Sequence, residues 1–238
     1  MPETPTLVAR VLALDISTSV CGAVLVHVFE DGAVKVLNFD AINATAQRAT
    51  DRRIATLRDQ GAEMERFCRI RIAALNLRLI AQPGDFDHIA YEVPNQRGAG
   101  ATAGLWQAIG AILERLQPTV PVPLIRIHAS TAKAVVGTQA KRATGESASS
   151  LGEKAAAIHW AQEMLSGQAD AAGQLCRLSS RYLADQEAIA DAVAVAVATV
   201  PILLPGVQAP CDRRKSLPKA KARAKRVTKR AVRTAVVA

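Results

Sequence analysis

Three short apolar runs follow one another near the start of the chain with very little sequence between them. Residues 9–17 (ARVLALDIS), 20–28 (VCGAVLVHV) and 33–39 (AVKVLNF) are built from Val, Leu, Ile and Ala. Asp31-Gly32 separates the second from the third, and Asp-Gly favours a tight hairpin because its residues accept positive φ. Connections this short leave no room for a crossover, so neighbouring runs must pair antiparallel. The opening of the chain therefore predicts a three-stranded meander.

From about Thr45 to Ile80 the apolar period lengthens. Ile54, Leu57, Met64, Phe67, Ile70, Ala74, Leu77 and Ile80 recur every three or four residues, which is the spacing of one helical face, until Pro83-Gly84 ends the segment. Residues 87–93 (DHIAYEV) predict a fourth strand, 102–117 a helix, 122–127 (VPLIRI) a fifth strand and 129–136 a short helix. A polar loop over 137–150 precedes helices at about 151–166 and 186–200, with Pro201 stopping the last. Three antiparallel strands followed by alternating helix and strand imply an α/β fold, a mixed five-stranded sheet flanked by helices. Half of the residues are apolar and 3% are aromatic, so aliphatic side chains must do the packing.

The formal charge of +9 is unevenly distributed. Residues 211–238 hold eleven Lys and Arg against one acid, Asp212, which leaves about −1 for residues 1–210. We therefore divide the chain into a folded domain over 1–205 and a basic tail over 206–238, the tail reading as a polyanion-binding arm. Cys21, Cys68, Cys176 and Cys211 form no CxxC pair, and the four histidines are scattered, so zinc or a disulfide framework is not expected. No run of about 18–20 uninterrupted apolar residues suggests a membrane span, and the first residues lack the order of a secretory signal. The expected location is the cytoplasm.

Carboxylates stand in unusual places. Asp15 ends an otherwise apolar strand (VLALD), and Glu92 does the same in the fourth (IAYEV). A charge placed there costs several kcal/mol, on the order given by transfer energies, unless it is paired or bound to a cation. In DQEAIADAVAVAVA, Glu187 and Asp191 are four residues apart and share a helix face, while Asp185 is expected to cap the N-terminus. The rest of that helix is nearly all Ala and Val, so it is buried against the sheet. Oxygen-only ligands suit Mg²⁺, or Mn²⁺ in its place, better than zinc. Two such ions about 4 Å apart can activate water and stabilise the leaving oxygen of a phosphodiester. No serine or cysteine nucleophile with a matched base competes with that chemistry.

These motifs resemble the RuvC family of Holliday-junction resolvases, within the RNase H-like superfamily, over roughly residues 10–200. VLALDISTSVCGAVLV is similar to the family's first motif, IAYEVPNQRGAGATAGLWQAIGAILE to its second, and IRIHASTAKAVVGTQAKRA to the segment before its basic loop. EAIADAVAVAVA is similar to the last. The resemblance implies an RNase H-like fold and a homodimer that binds branched DNA, a four-way junction, and nicks it with Mg²⁺ in recombination and repair. It assigns metal ligation and catalysis to Asp15, Glu92 and Asp191. The family's other helix carboxylate falls three residues before the last aspartate, where this chain has Ala188; Glu187, one residue earlier and on nearly the same face as Asp191, is the candidate in its place. Lys133, Lys141 and Arg142 match the family's basic segment loosely, Arg97 just after Glu92 lies where a DNA-backbone contact would be expected, and Lys221, Arg223, Lys225 and Arg226 in the tail extend the DNA-binding candidates.

Other readings fit the residues less well. LALDISTSVCGAVLV is also similar to the first phosphate motif of actin-like and sugar-kinase ATPases, which require a duplicated domain and a glycine-rich adenosine motif. A related nuclease acting on other branched DNA or on RNA stays open. So does a nucleic-acid-binding module without catalysis, which the filled carboxylate positions disfavour.

Overall fold

The computed structural model describes residues 5–17, 20–43, 76–78, 80–94, 99–117, 121–135, 157–162, 164–165, 178 and 183–208. The meander is present as β1 (Leu7–Ile16), β2 (Val20–Phe29) and β3 (Val34–Asn43). The third strand runs four residues beyond its expected end, because Asp40–Asn43 complete the pairing with Val20–Ala23. Gly32 takes φ +81° in the hairpin, and Asp31 Oδ1 accepts the Ala33 amide at 2.8 Å. Next come β4 (His88–Val93), α1 (Ala99–Leu116), β5 (Leu124–His128) and α2 (Ala129–Val135). The chain closes with α3 (Leu183–Ala198) and the single turn α4 (Val200–Leu203). The helix expected over 45–80 falls mostly outside the described residues, although Leu77 and Ile80 are buried. The helix expected at 151–166 is represented by residues 157–162, which are helical.

The sheet order is β3-β2-β1-β4-β5, with β1 antiparallel to β2, β2 antiparallel to β3, and β4 parallel to both β1 and β5. This is the mixed, RNase H-like sheet expected from the order of elements. Strand alternation divides the side chains between two cores. Ala9, Val11, Ala13, Val24, Val26, Val28 and Ala90 pack with α3. Leu12, Leu14, Ala23, Leu25, Ile89 and Tyr91 pack on the other face with Ile109, Ile112 and Leu116 of α1.

Two details of the last helical segment differ from expectation. Pro201 sits in the first turn of α4 instead of ending α3, since a proline at a first-turn position has no amide to leave unsatisfied. The break falls at Thr199, whose hydroxyl donates to the Ala196 carbonyl at 2.6 Å. Asp185 lies within the first turn of α3, not at its cap, where its charge still complements the helix dipole. Leu183–Leu203 also proves long and apolar enough by composition to cross a membrane, with mean hydropathy 1.5. Its apolarity has a simpler cause: all of Ala192–Ala198 is buried in the core against the sheet.

Candidate active site

Asp15 and Glu92 reach the same place by strand parity and register. Asp15 continues the row Ala9, Val11, Ala13 on the α3 face of β1, and Glu92 follows Ala90 on the same face of β4. The parallel register pairs Leu14 with Tyr91, so the next step along both strands brings Asp15 beside Glu92. Adjacent strands lie about 4.8 Å apart, too close for two unscreened carboxylates to be comfortable.

That register is held from the opposite end of the strands. Asp87, just before β4, accepts from the Arg10 amide at 3.0 Å and from Arg10 Nε at 3.1 Å through Oδ2. Its Oδ1 accepts from the other guanidinium arm at 2.6 Å, and Arg10 also donates to the Gly84 carbonyl at 2.7 Å. The fork fixes β4 against β1 and holds the Asp87 carboxyl below the ordinary range, mainly through the hydrogen bond from Arg10. Sequence reading passed over this pair. Residues 77 positions apart carry no local signal of partnership.

The third carboxylate arrives on α3, and a glycine sets how close it comes. Gly22 is the antiparallel partner of Asp15. A Cβ at Gly22 would collide with the Ala188 carbonyl and sit 3.0 Å from the Ile189 amide nitrogen, so helix and strand backbones touch there directly. Glycine inside a strand is the signal for such a close approach. Ala188 is itself buried, so the position where the resemblance would have put a carboxylate serves packing instead. Asp191 stands almost one turn further along the same helix, and the electrostatics tie it to both strand carboxylates.

Asp15 keeps a little surface open but is enclosed by packed neighbours, and this burial pushes its carboxyl well above the ordinary range. The charges of Asp191 and Glu92 add to the shift. Glu92 is pushed up to about 7 by burial and by Asp191, with Lys133 pulling the other way. Burial, and then the charge of Asp15, push the neighbouring Cys21 thiol up as well, so it stays protonated and inert. Glu187 lies on α3, partly buried, one turn before Asp191. Lys133 is exposed on α2, close enough for its charge to act on Glu92.

The structure thus brings Asp15, Glu92 and Asp191 into one electrostatic unit, with Lys133 at its edge. Among the described residues, no group of three His, Cys, Asp or Glu side chains is arranged to grip an ion in this conformation. The donor set nevertheless suits a hard cation: it is all oxygen, and two of its members resist ionising beside one another. Arg97, Lys141, Arg142, Lys221, Arg223, Lys225 and Arg226 lie outside the described residues. A cavity of about 650 Å³, lined by Arg10, Arg78, Gly84, Asp87 and Pro123, lies beside the register clamp at the other end of β1 and β4, away from the carboxylates.

No protein-family model and no curated protein sequence matches the chain. Among solved structures, it is similar to T. thermophilus RuvC in complex with Holliday junction substrate, at 15% identity and a TM-score of 0.46, covering 81% of this chain and 94% of that one. It is also similar to the Fowlpox virus resolvase in complex with Holliday junction DNA, at 11% identity and a TM-score of 0.48, covering 82% and 99%. The yeast mitochondrial Holliday junction resolvase Ydc2 is similar at 14% identity and a TM-score of 0.45, covering 84% and 81%.

Proposed function

We propose that this chain is a structure-selective endodeoxyribonuclease that resolves four-way DNA junctions by divalent-metal-dependent hydrolysis. The observation that carries the reading is the convergence of Asp15, Glu92 and Asp191 from two strands and a helix on one face of the sheet. Burial and mutual repulsion there keep the carboxyl groups of Asp15 and Glu92 reluctant to ionise. Asp15, Glu92 and Asp191, with Glu187 as the fourth, would hold one or two Mg²⁺ ions, which supply Lewis-acid activation of water and of the leaving oxygen when bound.

The rest of the work falls to the chain's own residues. The Arg10–Asp87 clamp keeps the two strand carboxylates adjacent, and Gly22 lets α3 bring Asp191 up to them. Lys133 supplies an exposed positive charge beside Glu92, where it can hold a backbone phosphate of the DNA. Family resemblance in the motifs supplies the choice of a four-way junction and of a homodimer, and two of the similar solved structures are complexes with that DNA.

Incubation in Mg²⁺ with four-way, three-way, duplex and single-stranded DNA tests the substrate. Preferential cutting of the four-way junction is expected, and equal cutting of all four would reduce the reading to a general nuclease. Asp15→Asn is expected to abolish cutting while leaving junction binding intact. A wild-type protein that binds junctions but cuts none of them in Mg²⁺ or Mn²⁺ would instead be a binding module.

A further inference from the structure

The cavity beside the register clamp takes no part in the carboxylate chemistry. Asp15 follows Arg10 by five steps of β1, about 17 Å at ~3.3 Å per residue. By parity Arg10 shares the face of Leu12 and Leu14, which pack with α1, whereas Asp15 shares the face of Ala13, which packs with α3. A ligand held beside Arg10 therefore leaves the carboxylates open.

At about 650 Å³ the cavity admits a small ligand or the end of a peptide. Its walls are mostly apolar, from Pro83, Phe86, Pro121, Val122 and Pro123. They are also held in place. Gln117 Oε1 accepts the Val122 amide at 2.9 Å, and its Nε2 donates to the Val122 carbonyl at 3.3 Å. The Pro123 carbonyl accepts the Ile89 amide at 3.1 Å, which ties the same wall to β4. A surface already formed loses little entropy when a ligand settles on it.

Two polar groups of the lining keep hydrogen-bonding capacity for a ligand. Arg78 directs Nε at 3.2 Å and Nη2 at 2.6 Å to the single carbonyl of Arg115, and it meets no carboxylate among the described residues. Its Nη1 and second Nη2 proton remain as an end-on fork, the geometry that grips a carboxylate with two hydrogen bonds. Arg10 offers no such fork, being committed to Asp87 and the Gly84 carbonyl. Asp87 Oδ2 accepts two hydrogen bonds from Arg10, whereas Oδ1 accepts one and keeps a position for another donor.

The signs of charge decide what fits. Arg10 and Arg78 share the cavity with Asp87, and Asp85 is near enough for its charge to act on Arg10. So mixed a lining attracts no polyanion, because a nucleic-acid backbone drawn to Arg78 would also meet two carboxylates. A single carboxylate beside an amide N–H is matched on both counts, by the Arg78 fork and by Asp87 Oδ1. The last residue of a peptide carries both groups on one α-carbon, with its side chain left to fill the space between the prolines.

We infer that this cavity docks the C-terminal end of a partner protein, reading a free carboxylate, its neighbouring amide and an apolar last side chain. The site recruits without competing for the carboxylates, and it does not depend on what they cut.

The test titrates the full chain, followed by amide NMR shifts, with a short glycine-serine peptide that ends in leucine with its carboxylate free. The controls are the same peptide amidated at its C-terminus, free leucine and a short DNA duplex. The free-carboxylate peptide should bind about ten-fold or more tightly than its amide, the range of charge-assisted hydrogen bonds. Arg78→Ala should abolish that preference, and Arg78→Lys should recover little of it, since it keeps the charge without the fork. Arg78 also holds the end of α1, so Pro121→Glu is the second variant. Pro121 is exposed, and a carboxylate there should weaken the free-carboxylate peptide several-fold while leaving the amide unchanged. Equal binding of acid and amide, binding of neither, or wild-type affinity in both Arg78→Ala and Pro121→Glu overturns the inference. Displacement of the peptide by an equal concentration of free leucine would make this an amino-acid site. Loss of duplex binding by Pro121→Glu with peptide binding unchanged would make it a nucleic-acid contact. Either result overturns the proposal.

Discussion

Replacing Gly22 by alanine is the most direct probe of how the site is assembled. The added Cβ would overlap the Ala188 carbonyl and lie 3.0 Å from the Ile189 nitrogen, whereas ordinary contact begins near 3.4 Å. Both obstacles are backbone, so no side chain can swing aside. Either α3 retreats from β2 by on the order of 1 Å, or the strand buckles. Inserting a methyl into a packed core costs about 1–3 kcal/mol, and the upper end applies because α3 is buried along its length. For a domain of about 200 residues, 3 kcal/mol lowers Tm by roughly 6–12 °C.

The same displacement carries Asp191 away from Asp15 and Glu92. A misplacement of about 1 Å can cost roughly 100-fold in rate, so cleavage should fall even where the variant is fully folded. Urea unfolding followed by circular dichroism measures the first effect, and cleavage well below the midpoint measures the second. Gly110→Ala is the control. That glycine is exposed on α1 with nothing within 4 Å of its Cβ position, so alanine there should add up to about 1 kcal/mol. If Gly22→Ala stays within about 0.5 kcal/mol of wild type, the range of a neutral surface change, the close approach of α3 to β2 is refuted.

The remaining predictions concern charge. Glu92 binds its proton more tightly folded than unfolded, so its contribution to metal-free stability is fully present below its ordinary 4.5 and is lost as pH rises to about 7. Converted at ~1.4 kcal/mol per pKa unit, the Glu92 share of the decline is at most about 3.5 kcal/mol; Glu92→Gln should remove that share, and a flat wild-type profile would show that neither burial nor repulsion raises the carboxyl groups. Asp87 has the opposite sign. Its lowered pKa contributes stability above the ordinary carboxylate range that is lost as acid protonates it, and Asp87→Asn should remove that acid-side slope. Because the Arg10 and Asp87 side chains are 37% and 42% exposed, solvent screening holds the pair to about 1 kcal/mol or less, measurable by comparing Arg10→Ala with Asp87→Asn and the double variant. Among the helix carboxylates, Asp191→Asn should abolish Mg²⁺-dependent cutting, whereas Glu187→Gln should reduce it less; equal losses in titrations of activity against Mg²⁺ would make the two equal ligands.

Much of this site is legible along the chain because its signals are local. A carboxylate closing an apolar strand is visible at Asp15 and Glu92, and the four-residue spacing of Glu187 and Asp191 follows from helical geometry alone. Parity also assigns Asp15 to the face shared with Val11 and Ala13, so its direction follows once the strand is recognised. The spacing does not rank the two helix carboxylates, however. The seating of α3 is what brings the charge of Asp191 to bear on both Asp15 and Glu92. The Arg10–Asp87 fork was equally hidden, since a long-range ion pair leaves no periodic trace.

The basic tail and the carboxylates are separable in the sequence by charge count, but the distances among the carboxylates are not. Composition and period determine which residues are apolar, which are charged and which way each points along its own strand or helix. Those properties depend on neighbours a few residues away. Whether Asp15 sits beside Glu92, how near Asp191 comes, and on which hairpin Val207 is seated depend on pairing between segments far apart in the chain. Backbone contact at Gly22, the clamp at Asp87 and the seat of Val207 on Gly32 settle those distances, and each exists only once the sheet and α3 have packed together.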